Sequence, residues 1–219
     1  PLDFESIIKK ISAAPEKAFY AKNAFDSSIF GWKDIERIIN DPEGKVIGLI
    51  DPNSKTIFNR KATMGDSKGI YNSIKNGNSF FIVDVSRYNA EINSMCTIVE
   101  KHACNTRAAS QIHVYGGYNA ECKSFTIHSD IPNNLIMQVD GTSLWTVYKE
   151  NGISPGPVDP KLKVTKDFEL CLEPGDLIYI PETRLHHCQP QSRRISLSMP
   201  FHTKFYHPGQ SLEREWHKF

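Results

Sequence analysis

The sequence predicts a mainly β protein with flanking helices, in which an N-terminal α/β portion packs on a β barrel. After residue 110, short β-rich runs follow one another, and clusters of Gly, Pro and Asn separate them. Seven or more short strands with such spacing are typical of a sandwich or a barrel. Before residue 110, apolar residues recur instead at helical spacing in several segments. The two patterns together indicate an α+β fold.

The N-terminal elements follow from local signals. Apolar residues on one face and suitable end residues predict helices over 3–12, 33–40, 68–76 and from Ser86, as an N-cap, to about residue 104. Gly77 is a suitable C-cap for the third helix. Strands are predicted in VIGLID and TIFNR, which flank a Pro-Asn turn, and in SFFIVDV.

The C-terminal part contains the predicted barrel strands. They are QIHVY, KSFTIH, NLIMQV, SLWTVY, LKVTKDFELCL, DLIYI and RISLSMPF. The change near residues 105–110 is interpreted as a change of layer and not as a domain boundary. We therefore expect residues 1–109 to pack on a barrel of residues 110–202 as one compact unit, followed by a tail over 203–219.

Composition excludes several classes of protein. The 219 residues carry 26 Lys and Arg against 25 Asp and Glu, which excludes a polybasic nucleic-acid binder. Apolar runs are too short to span a bilayer, so no membrane partner is expected. The first residues lack the layout of a secretory signal, and the five cysteines form no C-x-x-C pair. We therefore expect a reduced cytoplasmic protein, whose oligomeric state the sequence does not indicate.

A His-x-Asp pair marks the candidate metal site. His128 and Asp130 lie two residues apart, so on a strand both side chains point to the same face. A distant strand can bring His186 to the same point. Two imidazoles and one carboxylate form the facial triad of non-haem Fe(II), which leaves coordination positions open. The alternative is a hydrogen-bonded structural histidine, and the pair alone does not decide between them.

A second segment supports the metal site. Residues 175–186 read G-x5-P-x4-H, which resembles the second motif of a cupin, with Thr183 where cupins usually carry Gly. In the first cupin motif a Glu stands seven positions before the closing Gly, and here Asn134 occupies that position before Gly141. The sequence thus resembles a cupin that has lost its fourth ligand and has Asp in place of its second His.

These segments resemble the JmjC-like cupin family of Fe(II)- and 2-oxoglutarate-dependent oxygenases. The resemblance extends to AFYAKNAFDSSIFGWKDIERIIN, GNSFFIVDVSRYNAEI, KSFTIHSDIPNNLIMQVDGTSLWTVY and GDLIYIPETRLHHCQ. It implies a double-stranded β-helix, metal ligation by His128, Asp130 and His186, and the use of Fe(II), 2-oxoglutarate and O2. His187 is the second residue of a His-His pair and is expected to point away from the metal.

One position departs from the family. A Lys or Arg two residues after the Gly often grips the distal carboxylate of 2-oxoglutarate, but Ser143 stands there. Arg194 and Ser196 form an Arg-x-Ser pair on one strand face and are the best substitute, whereas Arg193 points to the opposite face. The alternative for Arg194 is a salt bridge at the rim of the barrel.

Other side chains are weaker candidates. Tyr115 is either a hydroxyl donor to the co-substrate or a half-buried core residue. Asn134 either orients the co-substrate or satisfies a turn. His113 and Trp145 either line the barrel or belong to its packing.

The sequence leaves three functions open. The favoured one is a dioxygenase that hydroxylates a C–H bond of a small molecule or of a protein side chain. The second is a non-catalytic cupin that binds a metal or a ligand, and Ser143 is its main support. The third is a metal-dependent cupin enzyme that does not use 2-oxoglutarate. Formation of succinate that depends on iron separates the first from the others.

Overall fold

The computed structural model describes residues 3–42, 44–104 and 111–202, so the predicted tail over 203–219 lies outside the described residues. The helices are α1 Phe4–Ala13, α2 Trp32–Asn40, α3 Ser67–Lys75 and α4 Ala90–His102. The first strands are β1 Phe19–Ala21, β2 Val46–Ile50, β3 Thr56–Lys61, β4 Ser79–Ile82, β5 His113–Gly117 and β6 His128–Ser129. The remaining strands are β7 Asn133–Asp140, β8 Ser143–Asn151, β9 Gly156–Pro157, β10 Lys166–Leu172, β11 Leu177–Ile180, β12 Arg184–Pro190 and β13 Arg194–Phe201.

The strands form two antiparallel sheets. The larger sheet has the order β1-β11-β7-β13-β5-β4-β2-β3, and the smaller has the order β10-β8-β12-β6-β9. Side chains of both sheets meet in one apolar cluster, to which Ile136 and Ile178 contribute from the larger sheet and Trp145 and Val147 from the smaller. The arrangement confirms the predicted mainly β fold of the double-stranded β-helix type.

Strand alternation decides which residues of the larger sheet can serve a site. On β13, Ile195 and Leu197 belong to the main core together with the buried isoleucines of the helices. Arg194, Ser196 and Ser198 alternate with them and line a cavity between the sheets. The helices therefore cover one face of the sheet, and the polar face of β13 is left for the barrel interior.

The N-terminal strands continue the sheet of the barrel. β4 pairs with β5, where Phe81 lies opposite Tyr115, and β2 pairs with β4. β1 pairs with β11 at the other edge, where Phe19 lies opposite Tyr179. Main-chain hydrogen bonds thus join the N-terminal portion to the barrel.

Two local predictions are wrong. Ser86 does not cap the fourth helix, because Asn89 has the extended backbone of an N-cap and accepts hydrogen bonds from the N–H groups of Glu91 and Ile92. The Ser86 hydroxyl instead donates to Asp84 at 2.6 Å. KSFTIH is a strand only at its final residue, since pairing with the smaller sheet begins at His128.

None of the helices in the described parts of the chain has both the length and the apolar character needed to cross a membrane.

Candidate metal centre

The three predicted metal ligands converge. β6 and β12 are antiparallel neighbours, and their pairing places His128 directly opposite His186. Asp130 follows the end of β6 and points to the same place. One ligand atom from each residue lies within 4.8 Å of the others, and the Nε2 atom of His186 is 3.6 Å from Oδ2 of Asp130. The side chains therefore form a compact cluster on one face of the smaller sheet.

Backbone carbonyls fix the orientation of both imidazoles. Nδ1 of His128 lies 2.7 Å from the carbonyl oxygen of Thr126, and Nδ1 of His186 lies 2.9 Å from that of Arg184. Because a carbonyl oxygen can only accept, each Nδ1 carries the proton and each Nε2 keeps a lone pair for a metal. Burial, reinforced by the neighbouring His128, lowers the pKa of His186 to about 4, so its ring is neutral near pH 7. Two neutral imidazole nitrogens and a carboxylate fit Fe(II).

His187 lies on the other face of β12. It lines a separate surface cleft with Lys123 and Gln189, whereas His186 lines the cavity between the sheets. Alternation along the strand thus orients the two adjacent histidines as predicted.

Asn134 links the metal cluster to the larger sheet. Its amide nitrogen donates to Oδ2 of Asp130 at 2.5 Å, and its amide oxygen accepts from the Ser198 hydroxyl at 3.0 Å. The nitrogen and the oxygen of the Asn134 amide thus both form hydrogen bonds with protein side chains. This geometry makes Asn134 an orienting residue for the Asp130 carboxylate.

Replacement of Asn134 by Ala is expected to weaken metal binding about 10- to 100-fold, because the Asp130 carboxylate loses the donor that orients it. Titration with Mn²⁺ under calorimetry measures the change. Asn89→Ala, which removes the cap of α4 far from the site, is the matched control and should leave the affinity unchanged. Equal affinities in the Asn134→Ala and wild-type proteins would contradict the orienting role.

Arg194 is a buried cation on the cavity wall. The residue is 2% exposed, and its Nε atom has no hydrogen-bond partner among the described residues. Its neighbour Arg193 points outward, where it forms an ion pair with Asp140 at 3.3 Å and lies over the ring of Trp32. The rim salt bridge considered for Arg194 is therefore formed by Arg193. A guanidinium that lacks an acidic partner in the described structure provides a site for an anion inside the cavity.

Ser143 is not one of the described residues that line the cavity. It is fully buried, and its hydroxyl donates to Oε1 of Gln138 at 2.6 Å and accepts from the indole N–H of Trp145 at 3.2 Å. The single hydroxyl proton is thus engaged, so the expectation that Ser143 helps to hold a carboxylate has no support here. Ser196 does line the cavity, and its hydroxyl also donates to Gln138, at 2.9 Å. A ligand there would have to turn the Ser196 hydroxyl toward itself.

Tyr115 and His113 line the cavity from β5. Burial, together with the negative charge of Asp130, raises the pKa of Tyr115, so its phenol stays protonated and can donate. His113 accepts a hydrogen bond from the N–H of Asp84 at 3.2 Å, and burial lowers its pKa to about 4. His113 therefore faces the cavity as a neutral ring.

Several cavity residues were not recognised in the sequence. Val46, Asn59, Phe81 and Val83 come from the N-terminal strands and the residue after them, and Phe125 comes from the loop before β6. For Val46, Phe81 and Val83 the only signal was the apolar character of ordinary strands, and Asn59 and Phe125 carried no signal. The role of Gln138 was also missed: its amide oxygen accepts hydrogen bonds from both Ser143 and Ser196. A single amide within the apolar run NLIMQV could have indicated such a buried hydrogen-bond acceptor.

Comparison with known proteins gives one family and a set of similar folds. The family described as JmjC domain matches residues 86–208, more than half of the chain. A search of the curated proteins found no match.

Solved structures of YcfD from Escherichia coli are similar to this chain. An X-ray structure of it has 15% identity and a TM-score of 0.62, and the alignment covers 93% of this chain and 62% of that one. A complex described as a ribosomal oxygenase with cobalt and 2-oxoglutarate has 15% identity, a TM-score of 0.63 and coverages of 92% and 61%. A complex with cobalt and succinic acid has 14% identity, a TM-score of 0.61 and coverages of 92% and 60%. The chain thus spans about three fifths of the length of these proteins, and the likeness shows a common fold.

Proposed function

The chain belongs to the JmjC domain family, and on that premise we propose that it is an Fe(II)- and 2-oxoglutarate-dependent oxygenase that hydroxylates a protein side chain. The observation that carries the proposal is the buried guanidinium of Arg194, which shares one cavity with the cluster of His128, Asp130 and His186. A metal-binding cluster and an isolated cation in one cavity suit a small dianion that chelates a metal.

In this proposal, His128, Asp130 and His186 hold Fe(II). When bound, Fe(II) supplies the activation of dioxygen, by which 2-oxoglutarate is converted to succinate and CO2 and one oxygen atom enters a substrate C–H bond. The protein contributes oriented ligands and a cavity between the two sheets. Both imidazoles need no reorientation, because the carbonyl oxygens of Thr126 and Arg184 already fix their Nδ1 atoms.

Arg194 neutralises the distal carboxylate of 2-oxoglutarate in this proposal. That carboxylate loses its hydration in the cavity, and a guanidinium restores the lost interactions with charge-assisted hydrogen bonds. Tyr115 adds a hydroxyl donor from the neighbouring strand, and Ser196 lies directly opposite Tyr115 in the register. Ser143 is not part of this anchor.

The choice of a protein side chain over a free small molecule is supported by YcfD, which is described as a ribosomal oxygenase. We further propose that residues 1–109 and the barrel over 110–202 act as one unit, which the pairing of β4 with β5 supports. A cytoplasmic location is supported by the five cysteines, which are all free.

Calorimetry with Mn²⁺ tests the proposal. We expect 2-oxoglutarate to bind the Mn²⁺-loaded protein. 2-Oxovalerate has the same 2-oxo carboxylate group but no distal carboxylate, and it should bind at least tenfold more weakly. With Fe²⁺ and a substrate, succinate should form in an amount equal to the hydroxylated product. Absence of 2-oxoglutarate binding would favour a non-catalytic cupin, whereas equal binding of both keto acids would leave Arg194 without its proposed role.

A further inference from the structure

The cavity extends across the larger sheet from a polar end to an apolar end. Residues that lie opposite one another in the register of neighbouring strands form a row across this sheet. In order along the row they are Ser196, Tyr115, Phe81, Gly48 and Asn59. This row crosses β13, β5, β4, β2 and β3, which are spaced roughly 4.8 Å apart. The two ends of the row differ in exposure, since Ser196 is 2% exposed and Asn59 is exposed, and the Phe81 side chain between them is half-buried. The mouth of the cavity therefore lies over the N-terminal strands.

The outer half of the cavity is mainly apolar and carries no charge. Its lining includes Val46, Phe81, Val83, Phe125 and Pro157, together with the uncharged polar side chains of Asn59 and Ser124. Phe125 also reaches the metal cluster, because its ring centroid is 5.7 Å from that of His128. A group that enters between these residues thus arrives next to the ligands.

Charge is confined to the inner half. Among the described residues that line the cavity, Asp130 is the only carboxylate and Arg194 the only strong base. The proposed function uses both, one for the metal and the other for the co-substrate. A lysine or arginine side chain of a substrate would therefore lose water without a free carboxylate as partner. An aliphatic side chain instead gains about 0.8 kcal/mol for each buried CH2 group.

Phe81 has a defined position because of Gly48. A methyl group on Gly48 would collide with the Phe81 ring, so the ring lies against the bare backbone of the neighbouring strand. On its other side the ring contacts Tyr115, with centroids 5.9 Å apart. The width of the outer half thus depends on the absence of a side chain at residue 48.

We propose that this outer half binds an uncharged, apolar side chain of a peptide substrate, and that Phe81, seated on Gly48, determines its width. The proposal rests on the proposed function and adds the chemistry of the substrate. Val46, Phe81 and Val83 precede the segment that matches the family, residues 86–208, whereas Phe125 and Pro157 lie within it. The width set by Phe81 would thus depend on strands that precede the family match, which contains the metal ligands.

A pair of probes with the same unbranched carbon chain tests the charge preference. N-acetyl-norleucinamide ends in the Cε methyl group, whereas N-acetyl-lysinamide carries an ammonium group on Cε. We expect Mn²⁺ in the protein, with 2-oxoglutarate present, to broaden the NMR signals of the norleucine probe, with a dissociation constant at least tenfold below that of the lysine probe. An aromatic wall also attracts cations. Equal affinities, or preference for lysine, would overturn the proposal.

Substitutions at residue 48 test the width. Gly48→Ala should push the Phe81 ring into the cavity and raise the dissociation constant of the norleucine probe at least fivefold. In a Phe81→Ala background the same change should have no effect, because the ring is gone. Gly69→Ala, on an open face of α3, is the matched control. Phe81→Ala alone should also let N-acetyl-tryptophanamide bind at least fivefold more tightly than it binds the wild type.

Calorimetry on the same samples separates the two levels of inference. If 2-oxoglutarate binds but the probes and variants show no discrimination, the substrate proposal alone is wrong. If 2-oxoglutarate does not bind the wild-type protein, the proposed function fails and the substrate proposal falls with it. Should Gly48→Ala fail to fold, the response of Phe81→Ala to the tryptophan probe decides the question of width.

Discussion

Replacement of Asp130 by Ala is expected to abolish oxygenase turnover and to weaken metal binding by more than about 100-fold. Substitution of a group that merely orients a ligand already weakens metal binding about 10- to 100-fold, and Asp130→Ala removes a ligand together with its negative charge. The fold should persist, because the Asp130 side chain is 26% exposed and lies outside both hydrophobic clusters. Mn²⁺ titration by electron paramagnetic resonance and thermal unfolding by circular dichroism measure the two effects.

Two further variants make the ligand assignment specific. Asp167→Ala removes a partly exposed carboxylate on β10, 3.9 Å from Arg184, and should leave metal affinity unchanged. His187→Ala should also leave it unchanged, whereas His186→Ala should reproduce the loss. A protein that lost metal with His187→Ala and kept it with His186→Ala would show that the face of β12 is wrongly assigned.

Replacement of Arg194 by Ala is expected to raise the dissociation constant of 2-oxoglutarate at least tenfold, which corresponds to about 1.4 kcal/mol. The loss can exceed about 100-fold, which corresponds to about 2.8 kcal/mol, because removal of one partner of a buried charge pair costs about 2–5 kcal/mol. Arg194→Lys should recover only part of the affinity, since an ammonium cannot reproduce the two parallel hydrogen bonds of a guanidinium. Calorimetry with the Mn²⁺-loaded protein gives both constants, and Mn²⁺ affinity itself should change little.

Arg193 provides the matched control for this experiment. It is the adjacent residue with the same charge, but its side chain is 53% exposed and paired with Asp140. Arg193→Ala should change the affinity for 2-oxoglutarate by less than about twofold, because solvent screens an exposed charge. Equal losses in the two variants would mean that net charge, and not a specific contact with Arg194, governs binding.

The positions of the proposed ligands could be predicted because local order fixes the His128-x-Asp130 pair, and because the segment that ends at His186 resembles a family motif. His-x-Asp places two side chains on one face of a strand, and the spacing from Gly175 to His186 describes a turn, a strand and a second turn. The same alternation predicted the opposed directions of Arg193 and Arg194 and of His186 and His187. Periodicity likewise gave most helices and strands to within a few residues.

What the sequence could not supply depends on register between distant strands. The hydrogen bond that the Ser143 hydroxyl donates to Gln138 was not predicted either, and a co-substrate role for Ser143 stays a prediction. The apolar half of the cavity was missed because Val46 and Phe81 resemble any buried strand residues. Only the sheet order β5-β4-β2 brings them to the cavity, and periodicity carries no information about long-range order of strands.

The order of the strands also has a consequence for how quickly the chain can fold. β1 is the first strand, yet its partner is β11, and β6, which carries His128, pairs with β12. Pairings between residues so distant in sequence require large loops to close first, and topologies of high contact order fold slowly, in milliseconds to seconds. During synthesis the first strand must wait, unpaired, until nearly all the described residues have emerged. The metal ligands would therefore meet late in folding, so that a metal ion encounters an almost completed barrel and not a nascent chain.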